Sequence, residues 1–326
     1  IRERFETRGR GEVYKRQVVD KLVERLIKSR LDAKKDKNII HRRQLLSYSI
    51  YGEKNPASDV LTPSELKKIK QEELTELIKS LPSYSHRILY YGNKDRKSLT
   101  SLLKKYHKIP LKFLEVKNKI KKYQEKDYKK NYVFWTNFDM VQTEIILLSR
   151  LEPLDNEKTA AINLFNQYFG GGMNSIVFQE IREAQGLAYA VFSNYSQASK
   201  TDRSDYLLSY VGVQNDKQSE ALSSMFGLIN ELPISEQAFE IAKKAILNKI
   251  ESERITKSSV LSYYLSAEKK GVDYDIREKI YDEVKTMTLE KLKRFHEKYI
   301  KEKPHNILLI GNRTIREVSL ETLFGF

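Results

Sequence analysis

The stretch that decides the fold is YFGGGMNSIVFQEIREAQGLAYAVFSNY, residues Tyr168 to Tyr195. Three glycines, Gly170–Gly172, separate a helical pattern from a second amphipathic helix over 174–184, and an alternating strand follows. Arg182 lies on that second helix, and six residues separate it from Tyr189 at the start of the strand. Both side chains donate hydrogen bonds to a carbonyl oxygen or to the oxyanion derived from it, and neither is a nucleophile at neutral pH. The pattern therefore predicts a group that holds a substrate and does not attack it.

The glycine-rich turn is interpreted as a support for that group. No Lys-Ser/Thr pair follows Gly170, Gly171 and Gly172, so the spacing fits neither a Walker A loop nor a dinucleotide-binding loop. Ser175 has no histidine near it in the sequence and is interpreted as a helix-start residue. The turn is expected to join two helices and to leave room for a nearby chain.

The excess of positive over negative charge lies entirely in the first part of the chain. The 326 residues carry a formal net charge of +15, and residues 1–130 alone hold 35 Lys and Arg against 17 Asp and Glu. The densest segment, 103–130, has eleven lysines but no glycine and no arginine, which favours a solvated linker over a nucleic-acid surface. Cysteine is absent, which excludes disulfides and thiolate catalysis, and no apolar run is long enough for a membrane span.

The chain repeats itself with an offset of 219 residues. The segment HRILYYGN, 86–93, returns as HNILLIGN, 305–312, and Gly52 returns as Gly271. Each copy is interpreted as helices followed by one apolar strand that ends at Gly-Asn. The second copy also has a front half. Its counterpart in the first copy would precede residue 1, so we expect the chain to be the C-terminal fragment of a longer protein.

These patterns predict a fold that combines helices with strands. We expect the back half of one domain over 1–105, a basic linker over 106–128 and a complete domain over 129–326. Thr62-Pro63-Ser64-Glu65 predicts a helix start with a capping box, and Thr288 is expected to cap a later helix.

In the complete domain the strands alternate with helices. Strands are expected within 132–150, over 189–195 and over 206–213, where β-branched and aromatic residues are frequent. Helices are expected over 155–169 and over most of 216–299.

No motif in the sequence presents two imidazoles to one metal ion. The five histidines are His41, His86, His107, His296 and His305, and none belongs to an H-x-x-E-H motif. His86 and His305 begin the two repeated strands, which favours a structural role. No metal and no other cofactor is therefore expected in this chain.

The stretch 168–195 resembles the pitrilysin/insulinase family of zinc metallopeptidases. The matching residues are Gly171-Gly172-Met173, Ser175, Phe178–Glu183 and Gly186–Tyr189, and the repeat and the closing strand are similar as well. In that family two halves, each built from pitrilysin-like domains, close like a clamshell around a peptide chamber. One half carries the H-x-x-E-H zinc motif, and the other carries an arginine–tyrosine pair that reaches the substrate backbone near the scissile bond.

The resemblance implies an α+β fold in which a mostly antiparallel sheet packs against helices. It also implies that this chain is the non-zinc half of a zinc metalloendopeptidase and is inactive alone. It implies that Arg182 and Tyr189 contact a peptide substrate, supported by Gly170–Gly172 and Gly186. Zinc is then expected in an N-terminal half or in a partner subunit. By analogy with oxyanion-hole donors, each contact would contribute about 2–4 kcal/mol.

Two other functions fit the same residues. An inactive relative acting as a scaffold or assembly subunit would lack H-x-x-E-H in its other half as well. A nucleic-acid-binding module would use the basic residues of 1–130. The composition, rich in Lys, Glu and Tyr and without cysteine, weakly favours the bacterial periplasm or cell envelope, and the compartment stays open.

Overall fold

The chain folds into two compact units. The computed structural model describes residues 2–116, 121–200 and 202–312. The units are Ile1–Glu125 and Lys126–Phe326. Residues 117–120 of the expected linker and residues 313–326 of the expected domain lie outside the described residues, and the boundaries at 105 and 128 stay predictions. Within the described ranges, no helix combines the length and the apolar character needed to cross a membrane.

The first unit is helical, and local capping sets where its helices begin and end. Its helices are α1 (Arg2–Ala33), α2 (Lys37–Ile39), α3 (Leu46–Tyr51), α4 (Pro63–Lys68), α5 (Gln71–Ser80) and α6 (Arg96–Tyr106), with a π-helical turn at Ile40–Leu45 and a 3-10 turn at Leu81–Ser83. The capping box before α4 is confirmed. The Glu65 N–H donates to the Thr62 hydroxyl at 3.2 Å, and the Thr62 N–H donates to the Glu65 carboxylate at 2.7 Å.

The two repeat glycines both have positive φ angles, which few other residues adopt. Gly52 ends α3 with φ of 82°, and Gly271, one repeat later, has φ of 73°. Positive φ values of this size favour glycine because a side chain would collide with the backbone. The 219-residue repeat therefore has a structural counterpart at this position.

The strand predicted over 86–93 is wrong. Tyr84 forms one isolated bridge to Leu114, residues 86–91 form no strand, and Ile88, Tyr90 and Tyr91 are exposed. The described part of the first unit holds no strands that this segment could join. A single strand without partners leaves its N–H and C=O groups without a ladder, so the segment stays irregular.

The second unit contains a five-stranded, mostly antiparallel sheet. Its strands are β1 (Tyr132–Asn137), β2 (Gln142–Pro153), β3 (Ala188–Ser196), β4 (Ser204–Gln214) and β5 (Asn306–Gly311), in the order β1-β5-β2-β4-β3. Only β1 and β5 pair in parallel. The predicted strands of this domain are confirmed, with 132–150 divided into two. Since β3 is the last strand in the order, one of its edges has no partner strand among the described residues.

Helices cover one face of this sheet. They are α7 (Thr159–Phe165), α8 (Gln218–Asn230), α9 (Glu236–Ser252), α10 (Val260–Lys269), α11 (Ile276–Thr286) and α12 (Leu289–Tyr299), with π-helical segments at Asn166–Gly170 and Phe178–Ala184 and 3-10 turns at Asn156–Lys158 and Asn215–Lys217. Alternate strand residues such as Leu147, Val191 and Val211 form one hydrophobic core with these helices. The Lys291 N–H donates to the Thr288 hydroxyl at 3.3 Å, which confirms Thr288 as the cap of α12. The α+β class is thus confirmed.

His305, just before β5, is buried as a neutral imidazole. Its Nδ1 lies 2.5 Å from the Ser149 hydroxyl, and its Nε2 is a buried atom without a hydrogen-bond partner in the described structure. Burial away from water disfavours the charged ring and lowers the pKa of His305 to about 4. The structural role expected for this residue is consistent with that environment.

Acid is expected to destabilise the second unit through His305. Its pKa in the folded state lies below the value of about 6.5 in the unfolded chain, so its full contribution is present above pH 6.5 and is lost as the pH falls towards 4. Between pH 7 and pH 5 the free energy of unfolding should drop by about 2 kcal/mol from this group. Urea unfolding at both pH values checks this. His305→Asn should reduce the drop by that amount, and an unchanged drop in the variant would contradict the assignment.

Candidate functional site

The glycine turn joins two π-helical segments, and a different physical constraint favours glycine at each of its three positions. A Cβ on Gly170 would lie 1.9 Å from the Ser193 carbonyl oxygen, so this glycine lets the helix touch the backbone of β3. A Cβ on Gly171 would lie 2.8 Å from the Asn166 carbonyl oxygen, and Gly172 has φ of 92°. The nearby chain for which the turn leaves room is therefore β3 itself.

Asn166, just before the turn, pairs with the free edge of β3. Its Nδ2 donates to the Tyr195 carbonyl at 2.9 Å, and its Oδ1 accepts the Tyr195 N–H at 2.6 Å. Together with the close approach of Gly170 to Ser193, this amide covers the C-terminal half of the edge. Within the described ranges, the backbone of this edge that stays open to an incoming strand is the N-terminal half of β3, where Tyr189 lies.

A tight reversal connects the segment Phe178–Ala184 to β3. The Leu187 N–H donates to the Ile181 carbonyl at 3.0 Å, and the chain turns through Gly186 with φ of 61°. Ile181 and Leu187 are both buried in the core and anchor the two arms of the reversal. Arg182 lies on the first arm and Tyr189 on the second.

Arg182 is held against an aromatic ring but keeps access to solvent. Its guanidinium lies over the Phe178 ring, 4.8 Å from the centroid, and 45% of its side chain is exposed. Nε lies 3.6 Å from the Glu183 carboxylate, which is a loose and exposed ion pair of little strength. Stacking orients the planar group while most of its N–H donors stay available to a ligand.

Tyr189 lies at a β-bulge. Ala188 is paired with Val213 and Ala190 with Gly212, so Tyr189 is the extra residue in the β3–β4 register. The residue is 62% exposed. Bulges re-aim a side chain and end regular pairing, and here the bulge presents the phenol to solvent at the open half of the edge.

The structure thus brings Arg182 and Tyr189 to one reversal, and both are accessible. Among the described contacts neither donates a hydrogen bond to the other. A cleft of about 380 Å³ opens beside the turn, with Asn166, Gly171 and Arg277 in its walls. Arg277 is already bound by the Asp275 carboxylate, with Nε 3.0 Å from Oδ1, and is therefore committed to a structural ion pair.

The comparison with protein families decides the identity. Residues 68–246, more than half of the chain, match the family model described as "Peptidase M16 inactive domain". This chain belongs to that family. The match contains the whole stretch 168–195, and it confirms the resemblance to the pitrilysin/insulinase metallopeptidases.

Solved structures show that the M16 fold extends over nearly the whole chain. An M16 inactive domain from Pseudomonas fluorescens superposes with a TM-score of 0.68 at 15% identity, over 91% of this chain and 71% of that one. The periplasmic protease PqqL from Escherichia coli gives 0.66 at 13% identity, over 91% of this chain and 33% of that one. At such identities the likeness shows the fold alone.

One curated relative matches over a short stretch. An uncharacterized zinc protease from Mycobacterium leprae is 42% identical over 55 residues, which are 17% of this chain and 12% of that protein. This M16 inactive domain therefore aligns with a small part of that relative and with a third of PqqL. No group of three or more His, Cys, Asp or Glu side chains that could hold a metal occurs in the part of the chain that the structure describes.

Two features of the site were not foreseen from the sequence. The pairing of Asn166 with the β3 edge corresponds to no sequence motif, since asparagine is common on helices. The sequence signal for it is the position of Asn166, four residues before Gly170. The bulge at Tyr189 has a weak signal in two successive exposed residues, Tyr189 and Ala190, which interrupt the alternation of β3. Both features depend on the contacts of β3 with residues that are distant in the sequence.

Proposed function

We propose that this chain is the non-catalytic, substrate-binding half of a zinc metalloendopeptidase that encloses unfolded peptides between two halves. The supporting observation is the joint exposure of Arg182 and Tyr189 on one reversal inside the family-matched stretch. The buried anchors Ile181 and Leu187 make that reversal a rigid support, which a positioning site requires.

Both side chains suit a peptide carbonyl. The guanidinium of Arg182, stacked on Phe178, offers N–H donors in a fixed plane, and the Tyr189 phenol offers one O–H donor. When a peptide bond is attacked, negative charge grows on its carbonyl oxygen, and donors that are already oriented stabilise that charge best. The open half of the β3 edge beside Tyr189 would pair with the extended peptide on which these donors act.

The described residues do not offer the ligands of a catalytic zinc site. The metal, which activates the attacking water in such enzymes, would belong to the other half, and the partners of this chain are that half and the peptide. What this chain contributes is binding and orientation of the substrate backbone through Arg182 and Tyr189. It is expected to hydrolyse nothing alone.

The test compares peptide hydrolysis by the purified 326-residue chain with hydrolysis by the complete protein or complex that contains it. Unfolded fluorogenic peptides should be cleaved by the complete protein only, and a chelator should abolish that cleavage. Chelator-sensitive cleavage by this chain alone would overturn the proposal. No cleavage by the complete protein, with no H-x-x-E-H in its other half, would instead identify a scaffold subunit.

A further inference from the structure

The first unit brings together two histidines that the sequence keeps 21 residues apart. Of the five histidines, His41, His296 and His305 are buried, with at most 3% of each residue exposed. His86 is exposed and His107 is partly exposed. Their Nε2 atoms lie 2.6 Å apart, so the two accessible imidazoles of the chain face each other.

We propose that His86 and His107 form a two-histidine binding site for a divalent transition-metal ion. Both histidines belong to the first unit, and the proposal does not depend on the function proposed for the Arg182 and Tyr189 reversal of the second unit.

The contacts of His86 decide which of its nitrogens is free. Its Nδ1 lies 2.6 Å from the Tyr84 carbonyl oxygen, which only accepts, so Nδ1 carries the proton and donates it. In the neutral ring the lone pair is then on Nε2 and points at His107. A backbone carbonyl on the second ring nitrogen is the arrangement that usually orients a metal-binding histidine.

His107 completes the pair from the end of a helix. It follows the last residue of α6, and its N–H donates to the Leu103 carbonyl at 2.8 Å. In the metal-free protein its Nε2–H donates to the Nε2 of His86. On metal binding the proton of His107 moves to its Nδ1, so that both Nε2 lone pairs face the ion and the chain loses no net proton.

The two imidazoles are held in place by their surroundings. The Leu114 N–H donates to the Ser83 carbonyl at 2.8 Å, and Tyr84 pairs with Leu114 in an isolated bridge. These two contacts fix the segment before His86. The Phe113 ring also packs edge-on against the His86 imidazole, with ring centroids 5.9 Å apart. The imidazole pair therefore exists before any metal arrives.

Coordination of one ion requires a wider spacing and a turn of the rings, because the two Nε2 atoms now point at each other. Two nitrogen ligands at the usual 2.0–2.1 Å from a tetrahedral ion are roughly 3.3 Å apart. The Nε2 atoms, now at 2.6 Å, must separate by about 0.7 Å, which a rotation of the exposed His86 ring supplies. No third His, Cys, Asp or Glu joins them in the described residues, so water fills the remaining positions.

The imidazole ligands set the order in which divalent metal ions should bind. Imidazole nitrogen suits Cu²⁺, Ni²⁺ and Zn²⁺, and the affinity of such a site should follow Co²⁺ below Ni²⁺ below Cu²⁺, with Zn²⁺ below Cu²⁺. Lys105 and Lys108, on either side of His107 in the sequence, oppose a cation and keep the site weaker than its geometry alone would allow.

The test is a titration of the metal-free 326-residue chain with Cu²⁺, followed by equilibrium dialysis and electron paramagnetic resonance. One Cu²⁺ per chain should bind, with nitrogen hyperfine splitting from two imidazoles. His86→Gln and His107→Gln should each weaken binding at least tenfold. The control Lys108→Ala removes a nearby charge but no ligand, and should bind one Cu²⁺ at least as tightly as the parent.

Three results would overturn the site. They are no bound Cu²⁺, a bound Cu²⁺ without imidazole nitrogen splitting, and unchanged affinity in both glutamine variants. The spectrum is recorded on the unaltered chain, so it decides the matter even where a variant does not fold.

Discussion

Replacing Gly170 with alanine should destabilise the second unit by about 3 kcal/mol or more, at or above the upper end of ordinary overpacking. The new Cβ would lie 1.9 Å from the Ser193 carbonyl oxygen and 2.5 Å from its carbon. These are backbone atoms, so no side-chain rotation relieves the collision. β3 itself would have to move, although Val191 and Tyr195 on either side of Ser193 are buried in the core. Urea unfolding followed by circular dichroism measures the loss.

Gly227 is the matched control for the same chemical change. It lies on an exposed position of α8, and a Cβ there would meet nothing within 4 Å. Because glycine weakens a helix interior, Gly227→Ala should stabilise the unit by about 0.5–1 kcal/mol. Opposite signs for the two variants are expected. Equal midpoints of urea unfolding for Gly170→Ala and the parent chain would refute the close contact with β3.

Gly170→Ala is also expected to disturb the edge of β3. A strand that moves away from the helix also moves away from the Asn166 side chain, which now bonds both backbone groups of Tyr195. Loss of these two hydrogen bonds would open the whole edge, and an open edge favours pairing between molecules. Self-association measured by sedimentation should therefore increase in Gly170→Ala and not in Gly227→Ala.

Local patterns in the sequence predicted most of the second unit, because its signals are short-range. The alternation in 188–196 and the spacing of apolar residues in 159–165 depend only on which face each element buries. The caps Thr62 and Thr288 were predictable for the same reason, since each cap bonds a residue three positions away.

The features that the sequence did not predict depend on partners that are distant in the chain. Segment 86–93 has the apolar pattern of a strand and forms none, because a strand needs neighbours that the described part of its unit does not supply. The pairing of Asn166 with Tyr195 spans 29 residues, and the meeting of His86 and His107 spans 21. Side-chain contacts across such separations leave no periodic trace in one sequence.

Arg182→Ala and Tyr189→Phe should each raise the activation free energy of the complete enzyme by about 2–4 kcal/mol, which lowers kcat/KM roughly 30- to 900-fold. Each variant removes one donor that the proposed function assigns to the substrate carbonyl near the scissile bond. Tyr189→Phe keeps the ring and loses only the O–H. Since Tyr189 is 62% exposed at a bulge, its hydroxyl is not needed for the fold, and the stability of the variant should stay unchanged. A loss of activity without a loss of stability then points to the substrate.

Controls separate a substrate contact from a general effect of charge or surface. Arg254 and Tyr264 are exposed in the same unit, and Arg254→Ala and Tyr264→Phe should leave kcat/KM unchanged. Arg182→Lys keeps the charge but loses the planar donors stacked on Phe178, so it should restore only part of the activity. A donor that acts mainly on the transition state lowers kcat, whereas one that only holds the peptide raises KM. Full activity in both Arg182→Ala and Tyr189→Phe would leave the reversal without a role in peptide cleavage and would overturn the assignment of these two side chains to the substrate.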